Sequence, residues 1–119
     1  MKIKMNYSEQ RNTIIRKYID YGSRLHLNCI RHDPKSSDKH KDKIEEICRH
    51  LRKNNIDFIC RPIINWINLI PDILAFSNPK TLAIEVINSE NKEHAESKNY
   101  PSEFKVVSLG VDDELEGVV

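Results

Sequence analysis

The sequence has no long hydrophobic run. No apolar stretch approaches the roughly 20 residues that a helix needs to span a bilayer. The N-terminal segment MKIKMNYSEQRN is basic, and no apolar stretch follows it. We therefore expect no membrane-spanning segment, no signal peptide and no membrane partner. The default expectation is an intracellular protein of the cytoplasm.

The sequence also lacks paired cysteines and the usual zinc-binding spacings. Cys29, Cys48 and Cys60 cannot all pair within one chain, and none belongs to a CxxC or zinc-knuckle pattern. Cys48 and His50 form an isolated C-x-H. The main interpretation is that the thiols are reduced and buried as small hydrophobic side chains. Structural zinc is the alternative. We find no internal repeat and no low-complexity segment.

The composition is that of a globular domain, with 39% hydrophobic and 31% charged residues. The 119 residues predict a single domain, 1–119. Its charge is uneven, because residues 1–53 carry 14 Lys and Arg against 7 Asp and Glu, whereas residues 54–119 carry 5 against 11. This asymmetry fits a protein that binds phosphates with one surface and cations with another. Charge complementarity within the molecule is the alternative.

Two helices are predicted in the basic half. The first covers about residues 6–22, with a capping-box spacing at its start and Gly22 as its C-terminal stop. Residues 23–31 alternate between polar and apolar and predict a strand. The second helix follows a cap at Ser37 or Asp38 and ends at Asn54-Asn55. Its apolar stripe is Ile44, Ile47, Cys48 and Leu51, and its candidate phosphate contacts are Lys39, Lys41, Lys43, Arg49 and Arg52.

The second half of the chain reads mainly as strands. Three candidates follow one another as IDFICRPII, IPDILAF and TLAIEVI. The polar stretch SENKEHAESKN then predicts a short helix, and FKVVSLGV predicts a last, buried strand. The natural arrangement is an α/β fold with a mixed sheet, because the last strand must return across a helix.

Two of these apolar strands each carry one acid, Asp72 in IPDILAF and Glu85 in LAIEVI. An ionisable residue is poorly tolerated in an apolar strand unless it is paired, binds metal or faces solvent. If the two strands form a hairpin, the acids could approach each other, and a cation such as Mg²⁺ would relieve their repulsion. The carbonyl of Val86 is a further candidate ligand. The alternative is a pair of acids at the rim, facing water.

The residues Pro71-Asp72, followed thirteen residues after the Asp by Glu85 in AIEV, resemble the motif of the PD-(D/E)xK nuclease superfamily. The order of elements over about residues 38–109 is similar to the restriction-endonuclease-like core of helix, three strands, helix and strand. The pattern is closest to that of the small competence-nuclease-like members. The resemblance implies this α/β core with an added N-terminal helix. It also implies a nuclease that uses Mg²⁺ or Mn²⁺ and acts on nucleic acid, with DNA expected.

The resemblance also implies roles for further residues. The family places a Lys two residues after the Glu, where this chain has Ile87. Some relatives supply that Lys from the following helix, so Lys92 and Lys98 are candidates, with ordinary solvated lysines as the alternative. Relatives also direct a Glu or His from the preceding helix at the metal, which makes His40 a candidate. A capping or surface role for His40 is the alternative.

The missing Lys supports a second hypothesis from another class. In it the chain is a catalytically inactive nuclease fold that binds nucleic acid or a protein partner. A homodimer is a further option at this size. The third hypothesis is an unrelated α/β domain in which Asp72 and Glu85 are rim residues.

Overall fold

The computed structural model describes residues 7–66, 69–77, 80–87 and 100–114. The helices are α1 (Tyr7–Tyr18), α2 (Tyr21–Arg24) and α3 (Asp38–Lys53). The strands are β1 (Phe58–Cys60), β2 (Ile73–Phe76), β3 (Thr81–Ile87) and β4 (Phe104–Gly110). None of the helices in these ranges is long and apolar enough to cross a membrane.

The four strands form one mixed sheet in the order β1-β2-β3-β4. The first three strands are antiparallel, whereas β4 is parallel to β3. Because parallel neighbours need a crossover, the chain between β3 and β4 must return to the other end of the sheet. The short helix predicted there falls on residues 88–99, which lie outside the described residues. The prediction of an α/β fold with a mixed sheet is confirmed.

Helix α3 covers one face of the sheet. Ser37 caps it by accepting a hydrogen bond from the His40 N–H, and it ends at Asn54, with Asn55 in the left-handed region at φ 58°. These ends are the ones that the sequence predicts. The predicted stripe is buried against side chains of all four strands, and it consists of Ile44, Ile47, Cys48 and Leu51.

The opposite face of the sheet is covered by the end of α1. Tyr18 and Ile19 are buried there in a second cluster with Leu74 of β2 and Ala83 of β3. Every residue of β3 from Thr81 to Val86 is therefore buried. A strand buried on both faces reads as a nearly continuous apolar run, which is why TLAIEVI was recognisable.

The N-terminal helix ends earlier than the sequence predicts. It stops at Tyr18 and not at Gly22, because Ile19 leaves the helix to form an isolated bridge with Ile64. Asp20 then caps α2 by accepting a hydrogen bond from the Gly22 N–H. Gly22 thus lies inside a second helix, and its role as a stop was wrongly predicted.

The strand predicted at residues 23–31 is also wrong. Helix α2 occupies the beginning of this segment, and the remainder is irregular. This remainder contacts β1 through an isolated bridge between Leu27 and Ile59 and through hydrogen bonds between Asn28 and Phe58. The weak alternation of polar and apolar residues in this segment therefore does not produce a strand, because tertiary contacts decide its conformation.

Asp57, directly before β1, joins three parts of the fold. Its carboxylate accepts hydrogen bonds from Arg11 of α1 at 2.6 Å and from the Asn28 side chain at 2.9 Å, and its N–H donates to the Tyr7 hydroxyl at 2.8 Å. Burial alone would raise the pKa of Asp57. The hydrogen bonds from Asn28 and Arg11 outweigh burial and hold this pKa below its ordinary value.

We expect Asp57→Ala to lower the free energy of unfolding by about 1.5–3 kcal/mol, because it removes charge-assisted hydrogen bonds. Urea denaturation at pH 7 measures this loss. Since the folded pKa is lowered, the stabilisation is complete above the ordinary Asp pKa of about 3.9 and disappears as the pH falls through the folded pKa. The exposed Asp112 is the control, and Asp112→Ala should change stability by about 0.5 kcal/mol or less. Equal losses in both variants would contradict the role of Asp57.

Candidate functional site

The two candidate acids lie near the adjoining ends of neighbouring strands, Asp72 directly before β2 and Glu85 within β3. Ile73 pairs with Ile84, so continuing the antiparallel register by one residue places Asp72 opposite Glu85. Residues directly opposite in an antiparallel pair point to the same face. The alternation of side chains along β3 assigns Glu85 to the face that Ala83 shares with α1, whereas Asp72 lies directly outside β2.

The carboxylate of Asp72 is fixed by the backbone of β3. Its Oδ2 accepts a hydrogen bond from the Val86 N–H at 2.8 Å. Asp72 follows the buried Pro71 and directly precedes β2. The carboxylate therefore lies at the end of the β2–β3 pair, beside the residue that follows Glu85.

His40, in the first turn of α3, reaches the same place from the other face of the sheet. Its Nε2 lies 3.1 Å from the Val86 carbonyl oxygen and 3.4 Å from Asp72 Oδ2. Both neighbours are acceptors, so we assign the proton to Nε2, which donates to Val86. The other ring nitrogen, Nδ1, is buried and has no hydrogen-bond partner among the described residues.

Glu85 is 5% exposed, and its Oε1 accepts a hydrogen bond from the Tyr100 hydroxyl at 2.8 Å. Burial is the largest cause that raises the pKa of Tyr100, followed by the hydrogen bond to Glu85 and the negative charges of Glu85 and Asp72. Tyr100 therefore remains protonated at neutral pH and acts as a donor. Because both carboxylates act on this phenol, they belong to one electrostatic neighbourhood.

Sequence reasoning missed Tyr100. The available signal was a phenol directly before Pro101, at the entry to the last strand. That signal becomes informative only once β4 is known to pair with β3, because the hydrogen bond to Glu85 spans 15 residues of chain.

The structure brings His40 and Asp72 to the backbone of Val86, and Glu85 directly precedes Val86 in β3. Lys92 and Lys98 lie outside the described residues. Ile87 is half-buried at the end of β3 and pairs with Gly110.

The buried lysine of α3, Lys43, does not belong to this group. Its Nζ donates to the Asp113 carbonyl and forms an ion pair with Glu46. Lys43 is 5% exposed, so its prediction as a phosphate contact was wrong. Its charge is already engaged inside the protein.

The donors at the site are suited to a hard cation. Within the described ranges, no three His, Cys, Asp or Glu side chains form a group that could hold a metal ion. A structural zinc site would use four such ligands. Mg²⁺ needs fewer, since it binds through one or two carboxylates and completes its shell with water and phosphate oxygens. The carboxylates of Asp72 and Glu85 and the carbonyl of Val86 fit that requirement.

The cysteines supply no alternative centre. Cys48 and Cys60 are buried in the core with their sulfur atoms 3.5 Å apart, whereas Cys29 is exposed. Two of the three thiols are thus buried as expected, and the expectation is wrong for Cys29.

Comparisons with known proteins found no match to this chain among family models, curated proteins or solved structures. The resemblance to PD-(D/E)xK nucleases therefore rests on the residues of the sequence that carry it.

We expect the protein to bind Mn²⁺, with binding weakened about 10-fold or more by Asp72→Asn and by Glu85→Gln. We expect at least a 10-fold loss because substituting residues that only hydrogen-bond to a metal ligand already lowers metal affinity 10-fold to 100-fold. Both variants keep a side-chain oxygen that can accept the hydrogen bond from Val86 or Tyr100, so they remove charge with little structural change. Isothermal titration calorimetry measures the affinity.

The control for this experiment is Glu103→Gln. Glu103 directly precedes β4 at the opposite end of the sheet and pairs with Lys17. Its substitution should leave Mn²⁺ affinity unchanged. If the three variants bind Mn²⁺ as the unsubstituted protein does, the site assignment is wrong.

Proposed function

We propose that this chain is a metal-dependent phosphodiesterase that acts on nucleic acid, with DNA as the expected substrate. We also propose that its α/β fold is the restriction-endonuclease-like core. The observation that carries this proposal is the position of Asp72 opposite Glu85, with the Asp72 carboxylate bound to the Val86 N–H. It supports the site that the PD-(D/E)xK resemblance implies.

In this proposal the carboxylates of Asp72 and Glu85 and the carbonyl of Val86 hold Mg²⁺ or Mn²⁺. A cation bound there supplies Lewis-acid stabilisation of charge on the phosphate and activation of water. The fit rests on the donor set, which consists of hard oxygen atoms at the end of two adjacent strands.

The protein's own residues fix the orientation of these donors. Tyr100 holds one oxygen of Glu85, and the Val86 N–H holds one oxygen of Asp72. His40 donates to the Val86 carbonyl, so its Nε2 cannot bind metal in this arrangement. We therefore give His40 a positioning role in the proposal. Preorganised ligands of this kind lower the cost of binding a cation.

The residue at position 87 favours a second candidate function. Isoleucine can neither orient water nor stabilise charge on a phosphate, which are the tasks of the lysine that the family places there. Unless Lys92 or Lys98 takes over these tasks, the chain is an inactive nuclease fold. It would then serve as a module that binds nucleic acid or a protein partner.

We expect cleavage of a DNA substrate to require Mg²⁺ or Mn²⁺ and to stop when EDTA is added. Asp72→Asn and Glu85→Gln should each lower the rate by about 10²-fold or more, because loss of the cation removes several kcal/mol of transition-state stabilisation. Gel-based cleavage assays measure the rate, and circular dichroism checks that the variants are folded. Glu103→Gln is again the control. Cleavage that is unaffected by either acid substitution would show that the site lies elsewhere.

A second set of variants separates an active nuclease from an inactive one. If Lys92 or Lys98 replaces the missing lysine, Lys92→Ala or Lys98→Ala should lower the rate by about 10²-fold. If the unsubstituted protein is inert with both metals and Ile87→Lys gains cleavage, the inactive module is the correct interpretation. Ile87→Met is the matched control, because it supplies an unbranched side chain without the ammonium group.

A further inference from the structure

Four large apolar side chains are exposed on two neighbouring segments of the chain. We call them the apolar rim, and they are Tyr21 at 80%, Leu25 at 82%, Ile63 at 52% and Trp66 at 82% exposure. Single exposed apolar residues are common on protein surfaces, but a group of large ones marks a binding site. Tyr21 and Leu25 belong to α2 and its C-cap, whereas Ile63 and Trp66 follow β1.

Backbone contacts hold these two segments side by side. Ile19 forms a bridge with Ile64, and the Asp20 N–H donates to the Ile63 carbonyl at 3.0 Å. The Asn65 N–H donates to the Tyr18 carbonyl at 2.7 Å, directly before Trp66. Trp66 itself has φ 69°, which a bulky residue adopts only where the surroundings impose it. The apolar rim is therefore a fixed feature of the fold.

The apolar rim is joined to the candidate site along the chain. The chain between β1 and β2, residues 61–72, carries Ile63 and Trp66 and ends at Asp72. At the start of this connection the Arg61 N–H donates to the Asp72 carbonyl at 3.0 Å. A nucleic-acid strand bound across the apolar rim could follow this connection towards Asp72 and Glu85.

Positive charge accompanies the apolar rim. The Arg24 guanidinium stacks on the Tyr21 ring at 4.2 Å and donates to the carbonyls of Ile19 and Arg16. Neither Arg16 nor Arg24 has a carboxylate partner in the part of the chain that the structure describes. The nearest acid in sequence, Asp20, accepts a hydrogen bond from the Gly22 N–H.

Two cations of α3 differ from Arg16 and Arg24 in having carboxylate partners. Lys43 pairs with Glu46, and Arg49 pairs with Glu45. An ion pair reduces the attraction that a cation exerts on a phosphate, whereas the charges of Arg16 and Arg24 remain available. The charge distribution thus favours the apolar rim over this part of α3 as a surface for an anionic partner.

We propose that the apolar rim is a stacking surface for the unpaired bases of a single-stranded nucleic acid, with Arg16 and Arg24 facing its phosphates. Proteins bind single strands by stacking bases on exposed aromatic rings beside a basic surface. The proposal builds on the proposed function, since it names the form of nucleic acid that reaches Asp72 and Glu85. It requires no cleavage.

The first experiment uses Trp66, which is the only tryptophan of the chain. In EDTA and at low salt, a thymidine oligonucleotide should quench its fluorescence, and a duplex of the same length should bind more weakly. A uridine oligonucleotide is the second arm, which distinguishes DNA from RNA as the source of the unpaired bases. Quenching by either single strand supports the proposal, and its absence with both overturns it.

The second experiment measures the anisotropy of a labelled oligonucleotide with three variants. Trp66→Ala and Tyr21→Ala should each weaken binding about 5-fold to 150-fold, the range measured for one stacked base. Both side chains are largely exposed, so the variants should fold, which circular dichroism checks. The control is Lys80→Ala, which removes an exposed cation before β3 at the opposite end of the sheet. An equal loss in this control would overturn the proposal.

Two further outcomes distinguish the alternatives. If sedimentation velocity shows self-association that Trp66→Ala abolishes while no oligonucleotide binds, the apolar rim binds a second copy and the proposal fails. Because EDTA prevents cleavage, the binding experiments test the stacking surface independently of the phosphodiesterase. A chain that quenches but never cleaves refutes the phosphodiesterase alone, whereas a chain that cleaves without quenching refutes the stacking surface alone.

Discussion

The burial of the Glu85 carboxylate within β3 constrains the rest of the structure. This strand is covered by α3 on one face and by the end of α1 on the other, and Glu85 is 5% exposed within it. A buried charge is costly unless hydrogen bonds or a cation compensate for it. The Tyr100 hydroxyl supplies one such hydrogen bond. Glu85 therefore interrupts the apolar pattern of the core at the proposed metal site.

Val86 couples the candidate site to the core. Its N–H binds Asp72, its carbonyl accepts from His40, and its side chain is packed in the cluster beneath α3. The orientation of the Asp72 carboxylate and of the Val86 carbonyl thus depends on how α3 packs on the sheet. A substitution in the buried stripe of α3, such as one at Ile47, would alter the site without touching any of its polar atoms.

The sequence predicted those parts of the fold that depend on local signals. The caps of α3, the bounds of β3 and the pairing of β2 with β3 all follow from periodicity, capping residues and a short turn. The end of α1 could not be predicted, because the bridge of Ile19 with Ile64 joins segments 45 residues apart. Tyr100 and the apolar rim were missed for the same reason, since their neighbours are defined only in the folded chain.

The folded structure also explains the uneven charge of the sequence. Part of it is complementarity within the molecule, because Arg11 pairs with Asp57 and Lys17 pairs with Glu103 across the two halves. Arg16 and Arg24 take no part in such pairs among the described residues. The Arg24 guanidinium stacks on Tyr21 of the apolar rim, and Arg24 also donates to the Arg16 carbonyl. If a bound strand reaches Asp72 and Glu85, a cation would offset the repulsion between its phosphates and the two carboxylates. A nuclease would need the metal site, whereas a module that only binds a single strand needs the stacking surface alone.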